Sequence, residues 1–262
     1  MTGELPPGDS QPLDQWLAAI EASNITFQRE AGAAKLGLFK AAAHVLAAPR
    51  LLRKRMIARP DRGLVPELQR PWLPRWPGLA AKPLHDPRDH PWTQRLRDAG
   101  PDIRRELSAV RARFARARYD SELNPKPWNT FYFFLQGRPV RENLAACPLT
   151  AALLREIPHN GFHVCFSAIA PGGVLHPHTG PTNASLTAHL GLANCAGARL
   201  WVAGETAEYR DDDVLVFDDS FVHRVDHDGT GVRCTLMITF WHPELHALER
   251  TFFRRVVQTA PR

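Results

Sequence analysis

Cysteine is scarce: the 262 residues hold four, Cys147, Cys165, Cys195 and Cys234. None belongs to a CxxC pair and none has zinc-finger spacing, which removes the common cysteine-based metal motifs. Their scatter suits reduced thiols in a reducing compartment. No apolar run is long enough to span a bilayer. The opening residues, MTGELPPGDSQPLDQW, have neither a basic n-region nor an apolar h-region, so they do not read as a signal peptide. The expectation is a soluble, cytoplasmic protein. Internal repeats and low-complexity tracts are missing too. Basic residues outnumber acidic ones, 33 to 27, for a net charge of +6 and a sequence pI near 9.5. That balance favours acidic partners but says nothing of fold. No nucleic-acid-binding motif accompanies it, so nucleic acid is not an expected partner.

The 44% hydrophobic fraction allows a sizeable core. The length fits one large domain, or a medium domain with an appendage. Residues 1–60 read as a helical N-terminal extension. In PLDQWLAAIEAS, Leu13, Trp16, Leu17 and Ile20 share one helical face. AAKLGLFKAAAHVLAAPRLLRKRMIARP follows, and Pro49 should kink or divide it. This basic, apolar segment suits a hairpin docked on the main domain. A membrane surface or an acidic carrier protein is the alternative partner. Residues 61–262 read as the main domain. Its lead-in, VPELQRPWLPRWPGLAAKPLHDPRDHPW, is proline-rich and extended, and has enough large apolar residues to wrap the core. A packing helix is expected over 102–119, with Asp102 as N-cap and Ile103, Leu107, Val110 and Phe114 at helical spacing. From Trp128 onward the pattern is of short strands: WNTFYFFLQG, FHVCFSAIA, SLTAHLGL, ARLWVA, DVLVF and CTLMITFW. Many short strands with turn residues between them point to a β-sandwich or jelly roll.

Histidines punctuate these strands. Fe(II) oxygenases commonly hold their metal with two histidines and one carboxylate on one face, leaving the other open. The usual form is HxD early and a lone His late, followed by a basic residue for a dicarboxylic co-substrate. His178 fits the early ligand and His223 the late one. Arg233 begins the next strand, where its planar fork suits a carboxylate. Two residues after His178, however, stands Gly180, so the HxD carboxylate is missing. His176 shares strand parity with His178 and could complete a three-histidine cupin set, although GPTNASLTA, which follows, has no Glu. It is read as a pocket residue. Asp218 and Asp219 could supply a carboxylate, but FDDS reads as a turn whose side chains cap backbone N–H groups. His189 alone could be a core histidine. His227, in DHDGTG, reads as solvent-facing. His242 and His246 read as local structure. Cys234 should face away from Arg233.

HTGPTN, five residues, HLGL, then VLVFDDSFVH, Arg233 and WHPEL closely resemble the aspartyl/asparaginyl β-hydroxylases. WNTFYFFLQGR and IRRELSAV resemble them as well. The resemblance is strongest over 128–246, weaker back to about residue 65, and does not reach residues 1–60. It implies a mainly β protein with a helical N-terminal part, whose core is a double-stranded β-helix (jelly-roll or cupin-like) flanked by helices. It implies Fe(II), 2-oxoglutarate and O2, with iron on two histidines and HxG in place of HxD. Position by position, His178 and His223 are the implied metal ligands. His189, Arg233 and Ser167 are the implied contacts to 2-oxoglutarate, with Trp128 beside that pocket. Thr187 departs from the family, which has Arg there. The implied activity is β-hydroxylation of an Asp/Asn-type residue, or of a related amino-acid, peptide or acyl substrate, carrier-bound or membrane-associated. A metal- or ligand-sensing barrel without turnover, a halogenase and a cupin-type dioxygenase are alternatives on the same scaffold. Substrate identity, stereochemistry and oligomeric state are not legible.

Overall fold

The structure is a computed structural model that describes residues 13–57, 66–117 and 128–258. It starts with two helices, α1 (Leu13–Ala31) and α2 (Ala33–Ile57), joined at Gly32. Gly32 has φ 82°, a left-handed value that glycine adopts freely at a helix end. α2 runs on through Pro49 instead of dividing there. The break between helices falls at the glycine, which takes this backbone conformation without strain. Leu17 and Ile20 of α1 pack on Trp201 and Val222. The side chains of Leu13 and Trp16 lie outside the described set.

The proline-rich lead-in wraps the core as expected. Trp76 is buried, its backbone N–H donating to Asn183 and its indole N–H to Glu249, each over 2.7 Å. The lead-in carries a two-residue strand, β1 (Leu84–His85), and a short helix, α3 (Trp92–Asp98), that the sequence pattern does not announce. The packing helix α4 is shorter than expected, Gly100–Val110, and starts before Asp102, which lies in its first turn. Ile103, Leu107 and Val110 are buried as the period requires. Phe114 leaves the helix after a 3-10 turn at Arg111–Arg113. There it stacks on Phe131 with ring centroids 5.9 Å apart, and the chain pairs as β2 (Ala115–Arg116) with β3 (Trp128–Leu135). Strand pairing and stacking outweigh the helix propensity of RARFARA.

β3 is followed by β4 (Arg138–Pro139), α5 (Arg141–Ala146) and α6 (Pro148–Glu156). The barrel strands are β5 (His159–Ile169), β6 (Gly173–His178), β7 (Ser185–Ala193), β8 (Ala198–Val202), β9 (Glu205–Glu208), β10 (Val214–Phe217), β11 (His223–His227) and β12 (Arg233–Trp241), and α7 (Ala247–Gln258) closes the described chain. They form two antiparallel sheets. The larger has the order β1-β10-β7-β12-β5-β3-β2, with β4 also on β3; the smaller has the order β6-β11-β8-β9. From β5 to β8 and again from β9 to β12 the chain alternates between the sheets, with β8 and β9 paired in the smaller one, the double-stranded β-helix arrangement. Period-two alternation assigns the faces. Val164, Phe166, Ala188, Leu190, Cys234 and Leu236 point outward, into a core shared with α4. Ile169, Phe217, Leu175, Leu200 and Val225 fill the space between the sheets. The four cysteines are buried free thiols.

Candidate active site

Two histidines face each other across β6 and β11. His178 ends the first strand, His223 begins the second, and they are register partners. Their rings lie 4.1 Å apart, centroid to centroid. Each ring is held in the same way. Nδ1 of His178 meets the carbonyl of His176 at 2.7 Å, and Nδ1 of His223 meets the carbonyl of Phe221 at 2.9 Å. A carbonyl only accepts, so each Nδ1 carries the proton and each Nε2 keeps a lone pair. That is the posture of a metal-bound imidazole. Burial holds His178 below the ordinary 6.5 and holds His223 well below it, the neighbouring His178 adding to the second effect. Both rings are therefore neutral at physiological pH, as ligation requires.

His176 does not complete a triad. Between His178 and Leu175, β6 has one more residue than β11 has between His223 and Val225. This bulge breaks the parity that would put His176 beside His178. The His176 backbone holds the His178 ring. Among the described residues no group of three or more His, Cys, Asp or Glu side chains is placed to hold a metal ion.

A line of rings leads inward from this pair. Phe217 lies 5.3 Å from His223 and 5.2 Å from His189. His189 Nδ1 bonds the Tyr209 hydroxyl at 2.8 Å, and the Arg233 guanidinium sits 4.1 Å from the Tyr209 ring centroid. Arg233 is 1% exposed, and its Nε and Nη1 have no partner. Nη2 donates to Thr235 at 3.2 Å. Ser167, register partner of Thr235, accepts from the Trp128 indole at 3.0 Å. The Nε2 of His189 is also buried without a partner. Burial, and after it Arg233, holds His189 well below 6.5; burial pushes Tyr209 up to about 12. The phenol therefore keeps its proton. When it donates to Nδ1, the proton of His189 sits on Nε2, which becomes a donor beside Arg233. Unpaired buried donors are costly. An anionic ligand with two oxygens would satisfy the unpaired Nε and Nη1 of Arg233.

Gly180 is crowded. A Cβ there would lie 2.5 Å from both Cγ and Oδ1 of Asp219. The Asp219 carboxylate accepts from Thr187 at 3.0 Å, so Thr187 is engaged with it. An aspartate at 180 has no room while Asp219 sits there. Gly180→Ala is expected to displace that carboxylate and to cost about 1–3 kcal/mol of stability. Thermal denaturation measures this, and an unchanged Tm would mean that the space is free.

The turn reading of FDDS holds for Asp218. Asp218 accepts from the backbone N–H of Ser220 at 2.9 Å and from the Gln69 amide at 3.1 Å. The Asp219 side chain accepts from Thr187 through Oδ2, and its Oδ1 is buried without a partner. Burial pushes the Asp218 carboxyl up to about 8 and the Asp219 carboxyl to about 7, from the usual 3.8. Carboxyls raised on folding bind protons more tightly in the folded state. Their contribution is complete below pH 3.8 and is lost as pH rises through about 7 and 8. The metal-free protein should therefore melt at progressively lower temperature across that window. Asp218→Asn should flatten the upper part of the slope, and parallel slopes would contradict the assignment.

The structure brings His178, His223, His189, Arg233, Ser167, Trp128 and Thr187 to facing strands. Tyr209 and Phe217 are additions that no spacing rule signals: Tyr209 follows a mostly exposed strand, and Phe217 reads as core. His227 is not solvent-facing. It is fully buried as the last residue of β11, with Nε2 2.6 Å from the Gly231 carbonyl. β11 pairs on both edges through this residue, so the turn begins only after it. His242 is buried and accepts from the Glu244 N–H at 3.2 Å, while His246 pairs with Glu249.

Residues 97–243, more than half the chain, match the family model described as aspartyl/asparaginyl beta-hydroxylase. The chain belongs to the aspartyl/asparaginyl β-hydroxylase family. Human aspartate beta-hydroxylase domain-containing protein 2 is 40% identical over 131 residues, covering 47% of this chain and 36% of the relative. The Xenopus tropicalis protein of that name is 33% identical over 207 residues, 74% of this chain and 53% of the relative. Human aspartyl/asparaginyl beta-hydroxylase is 33% identical over 184 residues, 66% and 24% respectively. The chain thus spans from about a quarter to about half the length of these β-hydroxylase relatives. The matched family segment contains every member of the histidine–arginine line just described.

Proposed function

We propose that this β-hydroxylase-family chain is an Fe(II)- and 2-oxoglutarate-dependent hydroxylase whose iron is held by His178 and His223 alone. One observation carries the reading: two anchored, neutral imidazoles stand at one end of a line of rings, and a buried guanidinium with two unpaired nitrogens stands at the other. The residues fit both groups. The paired Nε2 atoms offer a cation two nitrogen ligands. Arg233 and Ser167 suit the far carboxylate of 2-oxoglutarate, and Nε2 of His189 suits a donor to its oxygens. When bound, iron and co-substrate supply the oxidising power that hydroxylating a C–H bond needs. In the overall balance, substrate, O2 and 2-oxoglutarate give hydroxylated substrate, succinate and CO2.

The chain's own groups bind, orient and exclude water. Arg233 fixes the co-substrate by its planar fork. Tyr209 sets the His189 tautomer and supports the guanidinium through its ring face. Phe217 fills the gap between the histidines with an apolar surface. With two protein ligands, more positions on the metal stay open than in a two-histidine, one-carboxylate site. The names of the relatives support an Asp or Asn side chain as the substrate, and a related amino-acid, peptide or acyl group is the wider class.

Iron-dependent conversion of 2-oxoglutarate to succinate by purified protein tests the reading even without a substrate in hand. Turnover that requires added Fe(II) and disappears in His178→Ala is the expected result. Tight iron binding with no conversion, in the presence of a panel of Asp- and Asn-containing peptides, would favour a sensing barrel.

A further inference from the structure

α2 is apolar on two faces. One face, Phe39, Ala43 and Ala47, is buried against the domain, with Phe39 5.5 Å from Trp76 and 5.8 Å from Phe253 between ring centroids. The opposite stripe, Ala34, Leu38, Ala41 and Val45, follows helical spacing and is exposed. Leu38 and Val45 are each 72% exposed, the largest exposures among the large apolar side chains described. Seven residues separate them, two helical turns, so they lie one above the other. No described element covers them.

Charge says what would cover them. The helix sequence contains Lys35, Lys40, Arg50, Arg53, Lys54 and Arg55 and no acidic residue. Lys35 and Lys40 are exposed; by helical angle Lys35 flanks the apolar stripe, and Lys40 lies further round the helix, toward the buried face. An apolar stripe on a helix that has cations and no acidic residue fits an anionic lipid interface, where Leu and Val enter the headgroup–acyl boundary and Lys stays at the phosphates. No described helix is long and apolar enough to cross a membrane, so the fit is to a surface.

We infer that the exposed Leu38–Val45 face of α2 docks the protein on an anionic lipid bilayer. The hairpin is tied to the metal end of the barrel. Asn24 of α1 and Thr179, the residue after His178, both donate to the carbonyl of Arg70, at 2.9 and 2.8 Å. Gln28 donates to the carbonyl of Trp72 at 3.0 Å. These contacts link the helix that precedes the docking face to the segment that follows His178.

Co-sedimentation of the full chain with phosphatidylcholine vesicles, with and without phosphatidylglycerol, tests this. Pelleting with the phosphatidylglycerol vesicles, release by high salt, and at least about tenfold weaker binding by Leu38→Glu/Val45→Glu are expected. Lys35→Glu/Lys40→Glu should weaken it as well. Both apolar positions are solvent-exposed, so the double variant should keep the wild-type circular dichroism and melting temperature. A folded variant that still binds like wild type would overturn the proposal, and so would equal binding to neutral vesicles or none to either. Binding to polyglutamate without vesicle binding would assign the face to an acidic protein. A wild-type dimer that the double variant dissociates, again without vesicle binding, would assign it to a second copy of the chain.

Discussion

Replacing either His178 or His223 with alanine should abolish Fe(II) binding, while His176→Ala should largely preserve it. The difference rests on the bulge in β6. It turns the His176 ring out of register with His178 but leaves its carbonyl as the acceptor for His178 Nδ1. Alanine at 176 keeps that carbonyl. Alanine at 178 or 223 removes one of the two proposed ligands, with no third donor placed to compensate among the described residues. Losing even an outer hydrogen-bond partner of a metal ligand costs roughly 10–100-fold in affinity, so loss of the ligand itself should exceed about 100-fold. Isothermal titration of Fe(II), or of a spectroscopically convenient surrogate such as Co(II), into metal-free protein under anaerobic conditions reads all three variants. Equal loss in all three would restore the three-histidine cupin reading and remove the two-histidine one.

Arg233→Ala should raise the 2-oxoglutarate requirement without changing the iron affinity. The guanidinium is buried, its Nε and Nη1 have no protein partner, and it is backed by the Tyr209 ring at 4.1 Å. A charge-assisted, two-pronged contact made in that setting is worth about 2–3 kcal/mol. The co-substrate affinity should therefore fall by roughly 30- to 150-fold. Arg233→Lys should recover only part of it, because an ammonium keeps the charge and loses the fork. Iron titration of the same variants separates a pocket effect from misfolding. An unchanged 2-oxoglutarate requirement in a folded Arg233→Ala protein would take Arg233 out of the pocket.

The strands that carry most of this site were legible because period-two alternation is strong where one face is core and the other is lined by site residues. In β5, Val164 and Phe166 point to the outer core and Ser167 to the site; in β12, Cys234 and Leu236 oppose Arg233 and Thr235. β11 was not legible. Its sequence, HRVDH followed by DGTG, is polar and turn-like, yet it is buried throughout because it lies between β6 and β8. The buried Arg224–Asp226 pair, held at 2.9 and 3.0 Å from Nε, neutralises the charge that makes the segment look exposed. The bulge that disqualifies His176 is a register event between two strands and leaves no trace in either one alone. Asp219 shows the same limit. Its role comes from lying over Gly180, a contact between residues 39 positions apart in the sequence. Pro49 and Phe114 misled in opposite directions. One was tolerated inside a helix, and the other was taken out of a helix by an aromatic stack formed with a strand.

The most direct test of the central claim is anaerobic. Fe(II) and then 2-oxoglutarate would be added to metal-free protein, and the weak visible charge-transfer absorption of the chelated complex recorded. The account predicts a band in wild type, none in His223→Ala, and a band in Arg233→Ala only at much higher 2-oxoglutarate. Iron binding by wild type with no band at any 2-oxoglutarate concentration would contradict it. The Thr187–Asp219 contact would then stand where the co-substrate's metal-binding end should lie.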